Sequence, residues 1–345
     1  MLTPHGELPA EGKSVNEAPD DHDQAPHSRE RRLTPSCVWP AIVTVSVLLS
    51  MSGRSIGAGP APGIAELWQA PANVATQNVF DGPWGRDNAP NPHDTYTFVR
   101  SKTSGSSPGM VVTDARGRRW HVKQGREGPP EVVVSHVLSA VGYHQPPVYF
   151  LPSFTLGGGS GLRTVPGGRF RLVDASLTSG GEWAWDRNPF VGTKPYQALL
   201  VILVLFNSAD LKDSNNTVYN LKPPRGDVAR WYVVRDLGTS LGETGRFDPT
   251  PNKLNVFERH RFIAGVNNGY VDFAYQAVHA RLVQQRITPD DVQWASRLLG
   301  ELTDRQWHDA FDGAGYDAAT AERFIRRITQ KIKEGARAGL GPPSL

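Results

Sequence analysis

The densest gathering of chemically useful side chains in this 345-residue sequence is Asn207-Ser208-Ala209-Asp210-Leu211-Lys212-Asp213-Ser214-Asn215-Asn216. Carboxylates, a lysine and amides share one short loop there, a mixture suited to holding a divalent cation and orienting a hydroxyl for phosphoryl transfer. A second acidic string, Asp236-Leu237-Gly238, follows two strand-like segments. Upstream, Lys123 closes the strand-like Trp120-His121-Val122-Lys123, and Glu131 opens the next helical stretch. A strand lysine can reach nucleotide phosphates, and a helix glutamate can hold that lysine by an ion pair. In Gly105-Ser106-Ser107-Pro108-Gly109, a turn between two strands, the glycines let backbone amides approach phosphates. Each group also has a plainer reading: a solvated strand lysine, a helix-N-terminal carboxylate favoured by the macrodipole, an Asp/Asn-rich capped turn. A calcium loop fits poorly, because the glycine and closing glutamate of that pattern are missing.

The elements that must position these groups follow from periodicity. Alternation predicts strands at 95–100, 110–113 and 120–123, with turns at 104–109 and 114–117. On the third strand Trp120 and Val122 share one face, His121 and Lys123 the other. Residues 131–141 read as a helix, with Val133, Val134, Val137, Leu138 and Val141 in a stripe and Gly142 at the C-terminal cap. Glu127 stands as a rival partner for Lys123. Further strands are expected at 149–151 and 169–173, then a loop at 182–193. The nearly unbroken apolar run at 196–206 is too short to span a bilayer and reads as a helix buried on all sides, with a central strand as the rival. It delivers the chain into Asp210. Strands at 217–219 and 231–234, joined by a turn at 222–227, form a hairpin that can bring both acidic loops to one end of a sheet. The remainder reads as helices at 257–266, 273–283, 289–302, 303–312 and 320–333. Thr288 caps the third of these, with Pro289 at its first position and Asp290-Asp291 suiting the dipole. In the last, Phe324, Ile325, Ile328 and Ile332 form the apolar stripe, while Arg323, Arg326, Arg327, Lys331 and Lys333 read as a solvated basic face.

A formal charge of +3 is too mild to imply nucleic-acid binding, and none is expected. Cys37 is the only cysteine, which rules out an intrachain disulfide and zinc–thiolate sites. The ten histidines form no metal-spaced cluster. Residues 1–35 are polar and cannot bury enough surface to fold, so a disordered extension is expected. A basic flank at 29–32, an apolar stretch at 37–53 and the small-residue tail Ala58-Gly59-Pro60-Ala61 match a secretory signal peptide; an uncleaved membrane anchor is the alternative. Residues 36–59 therefore predict an extracytoplasmic protein, periplasmic or secreted, or a membrane-anchored one, with 37–53 as the segment that would associate with the membrane. Residues 60–92 read as a linker lying over the folded body rather than forming its core. A β-rich lobe at 93–193 and a larger helical lobe at 194–340 complete the plan.

Two motif matches are decoys. Gly105-Ser106-Ser107-Pro108-Gly109 fits the G-x-S-x-G pattern of hydrolases, but the residue after the serine must donate an oxyanion N–H, and Pro108 has none. Leu156-Gly157-Gly158-Gly159-Ser160-Gly161 lacks the Lys-Ser/Thr of a P-loop and reads as a flexible loop.

Asp210-Leu211-Lys212-Asp213-Ser214-Asn215 resembles the D-x-K-x-x-N catalytic loop of protein kinases, and Asp236-Leu237-Gly238 resembles their D-F-G metal loop with leucine for phenylalanine. With Lys123 and Glu131 upstream, the whole order is similar to the protein-kinase-like fold. Its atypical bacterial branch is the nearest in character, similar to HipA-type and phosphoinositide-kinase-like proteins. More narrowly, Leu67-Trp68, Trp120 to Lys123, Asn215-Asn216 and Asp236 to Gly238 resemble a family of exported bacterial proteins that brings no established activity. The resemblance covers roughly residues 65–335. It implies an α+β fold of two lobes, a small β-rich N-lobe with one helix and a larger, mainly helical C-lobe. It also implies an enzyme that uses ATP and Mg²⁺ to phosphorylate an unknown hydroxyl-bearing substrate. Asp210 would be the catalytic carboxylate and Lys212 would neutralise the transferring phosphoryl. Asn215 and Asp236 would hold Mg²⁺, Lys123 the α/β-phosphates, and Glu131 would orient Lys123. Gly105 and Gly109 would line the phosphate turn. The sequence departs from the pattern at Ser208-Ala209, where histidine and arginine are expected, in the short gap from Lys123 to Glu131, and in lacking a clear activation loop after Gly238. A non-catalytic kinase-like binding module at the cell surface, and nucleotidyl in place of phosphoryl transfer, both remain open on these residues.

Overall fold

The computed structural model describes residues 63–102, 107–159 and 161–340. The N-terminal extension, the leader at 36–59 and Gly105 lie outside the described residues. The chain forms a mixed α+β body, with strands gathered in the first half and most helices in the second.

Strands β1 (Thr95–Ser101), β2 (Gly109–Thr113), β3 (Arg119–Gln124), β4 (Val148–Gly158) and β5 (Gly161–Leu172) make a closed barrel in the order β1-β2-β3-β5-β4. Its pairs are antiparallel except β1–β4, which runs parallel and closes it. Alternation sends Tyr96, Trp120, Phe154 and Phe170 inward, where their rings meet edge to face or tilted at centroid separations of 5.0–6.0 Å. Those ring contacts add to the apolar burial that closes the barrel. The same alternation turns His121 and Lys123 of β3 outward, opposite Arg171 and Arg169 of β5. The glycine-rich stretch is paired rather than a loose loop: Leu156 pairs with Arg163, Gly157 with Leu162 and Gly158 with Gly161, the last pair of the β4–β5 ladder.

Helix α1 (Gly128–Ala140) links β3 to β4 and begins three residues before the predicted start, with Pro129 and Pro130 in its first turn. Proline is tolerated there because those N–H groups have no intrahelical partner. The expected apolar stripe is instead a helix buried all round, since Glu131, Ser135 and His136 are buried along with the valines. Its apolar residues share one core with helix α2 (Lys194–Leu205) and the C-terminal helices. The segment at 63–92 lies over this body in three single 3₁₀ turns, yet it contributes Leu67, Val74 and Val79 to that core, which corrects the expectation of a mere covering.

After a short strand β6 (Leu177–Ser179), α2 is buried on all sides as expected. The hairpin of β7 (Asn216–Arg225) and β8 (Val228–Val234) pairs with β6 into a three-stranded sheet. Two predicted helices do not form as such. Residues 257–266 split into the end of α3 (Leu254–Arg259) and the start of β9 (Ile263–Asn267); residues 273–283 hold the end of β10 (Tyr270–Phe273) and one 3₁₀ turn at Ala280–Leu282. Asn268 and Gly269 form the β9–β10 turn with φ of +50° and +81°, the left-handed pair a two-residue hairpin demands. Helices α4 (Pro289–Gly300), α5 (Asp304–Asp312) and α6 (Ala318–Ala336) follow the prediction. Thr288 and Thr303 head reciprocal capping boxes with Asp291 and Gln306. On α6, Lys331 is fully buried, not solvated.

Candidate active site

Lys123 leaves the outer face of β3 and is almost completely enclosed. Its Nζ lies 2.9 Å from Glu127 Oε2, 3.1 Å from Glu131 Oε2 and 2.5 Å from Asp236 Oδ1. Both candidate glutamates therefore meet the lysine. Burial alone would lower the Lys123 ammonium, but Glu131 and Asp236 outweigh it and hold it above its ordinary range.

Glu131 has further partners. Arg169 Nε lies 2.9 Å from its Oε1, and Arg171 Nη2 donates to the same oxygen. Burial would raise this carboxyl, yet Arg169, Lys123 and Arg171 together hold it well below the usual carboxylate range. Arg169 is itself drawn down to about 10, by burial and by the neighbouring Arg171. Arg171 Nη2 also donates to the Arg235 carbonyl at 2.7 Å, immediately before Asp236. Sequence reasoning missed both arginines. The available signal was the strand at 169–173, which puts two guanidinium groups on one face opposite Phe170 and Leu172.

The hairpin β7–β8 brings the acidic loops together as expected. Asn216 pairs with Val234, and the Arg235 N–H donates to the Asn215 carbonyl at 2.8 Å. Asn215 Nδ2 donates to the Asp210 carbonyl at 2.7 Å, which turns its Oδ1 the other way. Ala209 N–H donates to the Thr239 carbonyl and Asp210 N–H to the Thr239 hydroxyl, both at 3.2 Å. Asn207, at φ +56°, donates its amide to the Gly242 carbonyl at 2.9 Å. The loop at 207–215 is thus stitched to the segment after Asp236. Gly238 fits tightly: a Cβ there would lie 2.7 Å from Glu127 Cβ and 2.9 Å from its carbonyl oxygen. Gly109 sits in β2 opposite Lys123, where a Cβ would come within 2.6 Å of the Val122 carbonyl oxygen.

Asp210 is half-buried and pairs with exposed Lys212 at 2.9 Å. Lys123, Glu131 and Asp236 meet directly, while Asp210, Lys212 and Asn215 form a second group joined to them through the Asn215–Arg235 backbone bond. Beside Lys212 lies a cavity of about 190 Å³ bounded by Trp185, Leu211, Ser214, His279 and Arg281 among others. Among the described residues no cluster of three His, Cys, Asp or Glu could hold a metal ion. Asp236 carries a carboxylate and Asn215 an amide oxygen, and the hydrogen bond from the Arg235 N–H to the Asn215 carbonyl ties the two segments together. That hard-oxygen pair suits Mg²⁺, whose remaining positions are usually filled by water and phosphate.

No family model matches the chain, and no curated protein sequence matches it. Among solved structures it is similar to a Helicobacter pylori proinflammatory kinase, CtkA, with a TM-score of 0.42 and 10% identity over 70% of this chain and 97% of that one. It is also similar to the Golgi casein kinase with Mn/ADP bound, with a TM-score of 0.36 and 9% identity over 76% of this chain and 79% of that one. Both scores fall below 0.5, and the reading that follows rests on the chain's own side chains.

Proposed function

We propose that this chain is a kinase-like phosphotransferase that binds ATP with Mg²⁺ and passes the terminal phosphoryl group to a hydroxyl acceptor. The barrel would serve as the N-lobe and the helical body as the C-lobe. The observation that carries this reading is the meeting of Lys123 and Asp236, 113 residues apart in sequence, at 2.5 Å. Lysine and carboxylate stand where a polyphosphate and its cation would separate them.

In this scheme Lys123 turns from Asp236 to the α/β-phosphates. Glu131 keeps its place meanwhile, because Arg169 and Arg171 hold it independently. Mg²⁺, when bound, neutralises charge on the phosphate oxygens; Asn215 Oδ1 and the Asp236 carboxylate would hold it. Asp210 takes the proton of the acceptor hydroxyl as that oxygen bonds to the γ-phosphorus and the bond to the β-bridging oxygen breaks. Lys212 offsets charge on the moving group, and Gly109 lies opposite Lys123 on the adjoining strand. The cavity beside Lys212 offers space for an acceptor. Positioning and charge stabilisation are the main tasks of a phosphotransferase, and these groups supply them.

The Lys212–Asp210 pair favours a second reading, a non-catalytic binding module at the cell surface, because it engages the carboxylate that would accept the proton. Thermal shift of the full chain with ATP, with and without Mg²⁺, tests nucleotide binding. Transfer of labelled γ-phosphate to the protein or to hydroxyl compounds tests turnover. Asp210→Asn should cut turnover by about 10²–10⁴-fold while keeping the thermal shift. No shift with any nucleotide would sink the phosphotransferase reading and leave the binding module; a shift without turnover would also favour the binding module. Transfer of AMP in place of phosphate, read by mass, would indicate nucleotidyl transfer with the same residues. The apolar segment at 37–53 places the protein outside the cytoplasm or on a membrane in this proposal, and fractionation of expressing cells tests that. Among the described residues no helix is long and apolar enough to cross a membrane.

A further inference from the structure

Along the β7–β8 hairpin lies a second cavity, of about 350 Å³. Its walls come from the segment at 69–84, the α1–β4 connection and the hairpin itself. None of the residues around it belongs to the set at Lys123 and Asp210. Arg225 ends β7, whereas Trp231 pairs with Tyr219 and Gln145 Nε2 donates to the Val234 carbonyl at 3.4 Å, so the cavity runs along the hairpin towards Asp236.

Arg225 sets the character of this cavity. Its guanidinium lies 4.5 Å from the Trp231 ring centroid and 5.5 Å from that of Trp84. On the same hairpin Arg230 is paired with Glu66 at 3.2 Å, whereas Arg225 has no carboxylate partner among the described residues. A guanidinium stacked on indole is planar, fixed and still presents N–H groups at its edge. His144 stacks on Trp231 at 4.6 Å and 5°. Its imidazole is pushed down to about 4 by burial and by Arg225, and so is neutral near pH 7.

Among the described residues no acidic side chain lines the cavity, and Arg225 is the one formally charged residue of its lining. The rest of the wall is indole, proline, tyrosine and neutral amides such as Gln69 and Gln77. A phosphate dianion is usually met by several cations or backbone donors. One guanidinium beside aromatic and proline surface suits a single carboxylate attached to an apolar body.

We infer that this cavity is a binding site for a carboxylate borne on an aromatic or aliphatic group, with Arg225, held against Trp84 and Trp231, as its charge partner. The carboxylate can come from a small organic acid or from an acidic residue beside an apolar one in a peptide. The site would dock such a ligand away from the phosphoryl-transfer residues, and the hairpin would join the two.

The test is calorimetric titration of the full chain, without nucleotide, with three probes. They are N-acetylphenylalanine, its neutral amide, and an acetylated and amidated Pro-Phe-Glu-Pro peptide. The acid or the peptide should bind, and which of them binds more tightly names the source of the carboxylate. Arg225→Gln should weaken that binding by at least about tenfold, and Arg225→Lys by less, since lysine keeps the charge but not the stacked fork. Arg225 is exposed near the hairpin turn, so both variants should fold, which their unchanged melting temperatures would show. Equal binding of the amide, unchanged binding by Arg225→Gln, or no binding by either carboxylate probe would each overturn the site. Because nucleotide is absent throughout, failure of the phosphotransferase reading would leave this result standing.

Discussion

Among the described residues two lysines are buried, and their surroundings are opposites. Lys123 is ringed by Glu127, Glu131 and Asp236. Lys331 bonds the Leu205 carbonyl at 2.8 Å and Asn207 Oδ1 at 2.9 Å, and sits 4.1 Å from the centroid of the Phe257 ring. The first ammonium is held above its ordinary range by its carboxylates against burial; the second is pushed well below it by burial and by Arg327, with Glu334 opposing. The first charge is matched by anions, so a phosphate can take over from a carboxylate. The second acts as a hydrogen-bond donor that fastens the end of α2 to the start of the loop at 207–215. In the proposed phosphotransferase, charge at Lys123 would be available to a phosphate, whereas charge at Lys331 is a burden on a structural clamp.

The largest effect expected is on the side of Lys123. Glu131→Gln leaves three cations around a neutral amide and should cost about 3–5 kcal/mol of stability, read by urea unfolding at pH 7. A loss below about 1 kcal/mol would mean that the cluster is far more solvated than its burial indicates. Lys123→Met should cost less, about 2 kcal/mol, because Arg169 and Arg171 still compensate Glu131. It should also abolish stabilisation by nucleotide and Mg²⁺. Lys331→Met keeps the packing of the stem and should cost about 1 kcal/mol at pH 7 while leaving nucleotide binding intact.

Alkaline pH separates the two lysines by sign. Lys123 has a raised folded pKa, so its contribution is fully present below 10.5, the unfolded value, and is lost only as pH rises through the folded value. The gap between wild type and Lys123→Met should stay level from pH 7 to 10. Lys331 has a lowered folded pKa, so the unfolded chain binds the extra proton between the folded value and 10.5, and stability rises with pH across that window. The gap between wild type and Lys331→Met should widen towards pH 10. Two level gaps would erase the contrast.

This contrast was only half legible in the sequence. Lys123, Glu131 and Asp236 stood out because strand alternation, helix start and an acidic turn are local signals. The arginines that complete the cluster lie on a strand whose partner helix precedes it by some forty residues, and nothing local joins them to Glu131. Lys331 read as solvated because basic residues flank it on α6. Its partners are a carbonyl and an amide more than a hundred residues away, and neither announces itself as a lysine site. The β9–β10 hairpin is legible in Asn268-Gly269, a strong turn signal that outweighs the helical spacing of the apolar residues around it. The barrel strands were found at their centres and cut short where glycines and Pro166 interrupt alternation, although the β4–β5 ladder runs through them.

The smallest expected effect places one histidine in each region. His121 shares the outer face of β3 with Lys123, and its imidazole is pushed down to about 4 by burial, then by Arg171, Arg169, Arg100 and Arg235. His260 is near Lys331 and bonds the Thr244 hydroxyl at 2.9 Å; burial, Lys331 and Arg327 bring it down to about 4. Between pH 6.5 and 4 the unfolded chain binds a proton at each position that the folded chain does not, so stability should fall as pH drops through that range. Each histidine can contribute a slope of at most about 1.4 kcal/mol per pH unit, and partial exposure of both will reduce it. His121→Gln and His260→Gln should each flatten part of the fall in melting temperature from pH 7 to 5. Added salt should flatten the His121 share more, because exposed Arg100 supplies part of its field, whereas buried Lys331 supplies part of the field at His260. Equal salt sensitivity at the two positions would show that the surroundings of the two lysines differ less in solvent access than their burial implies.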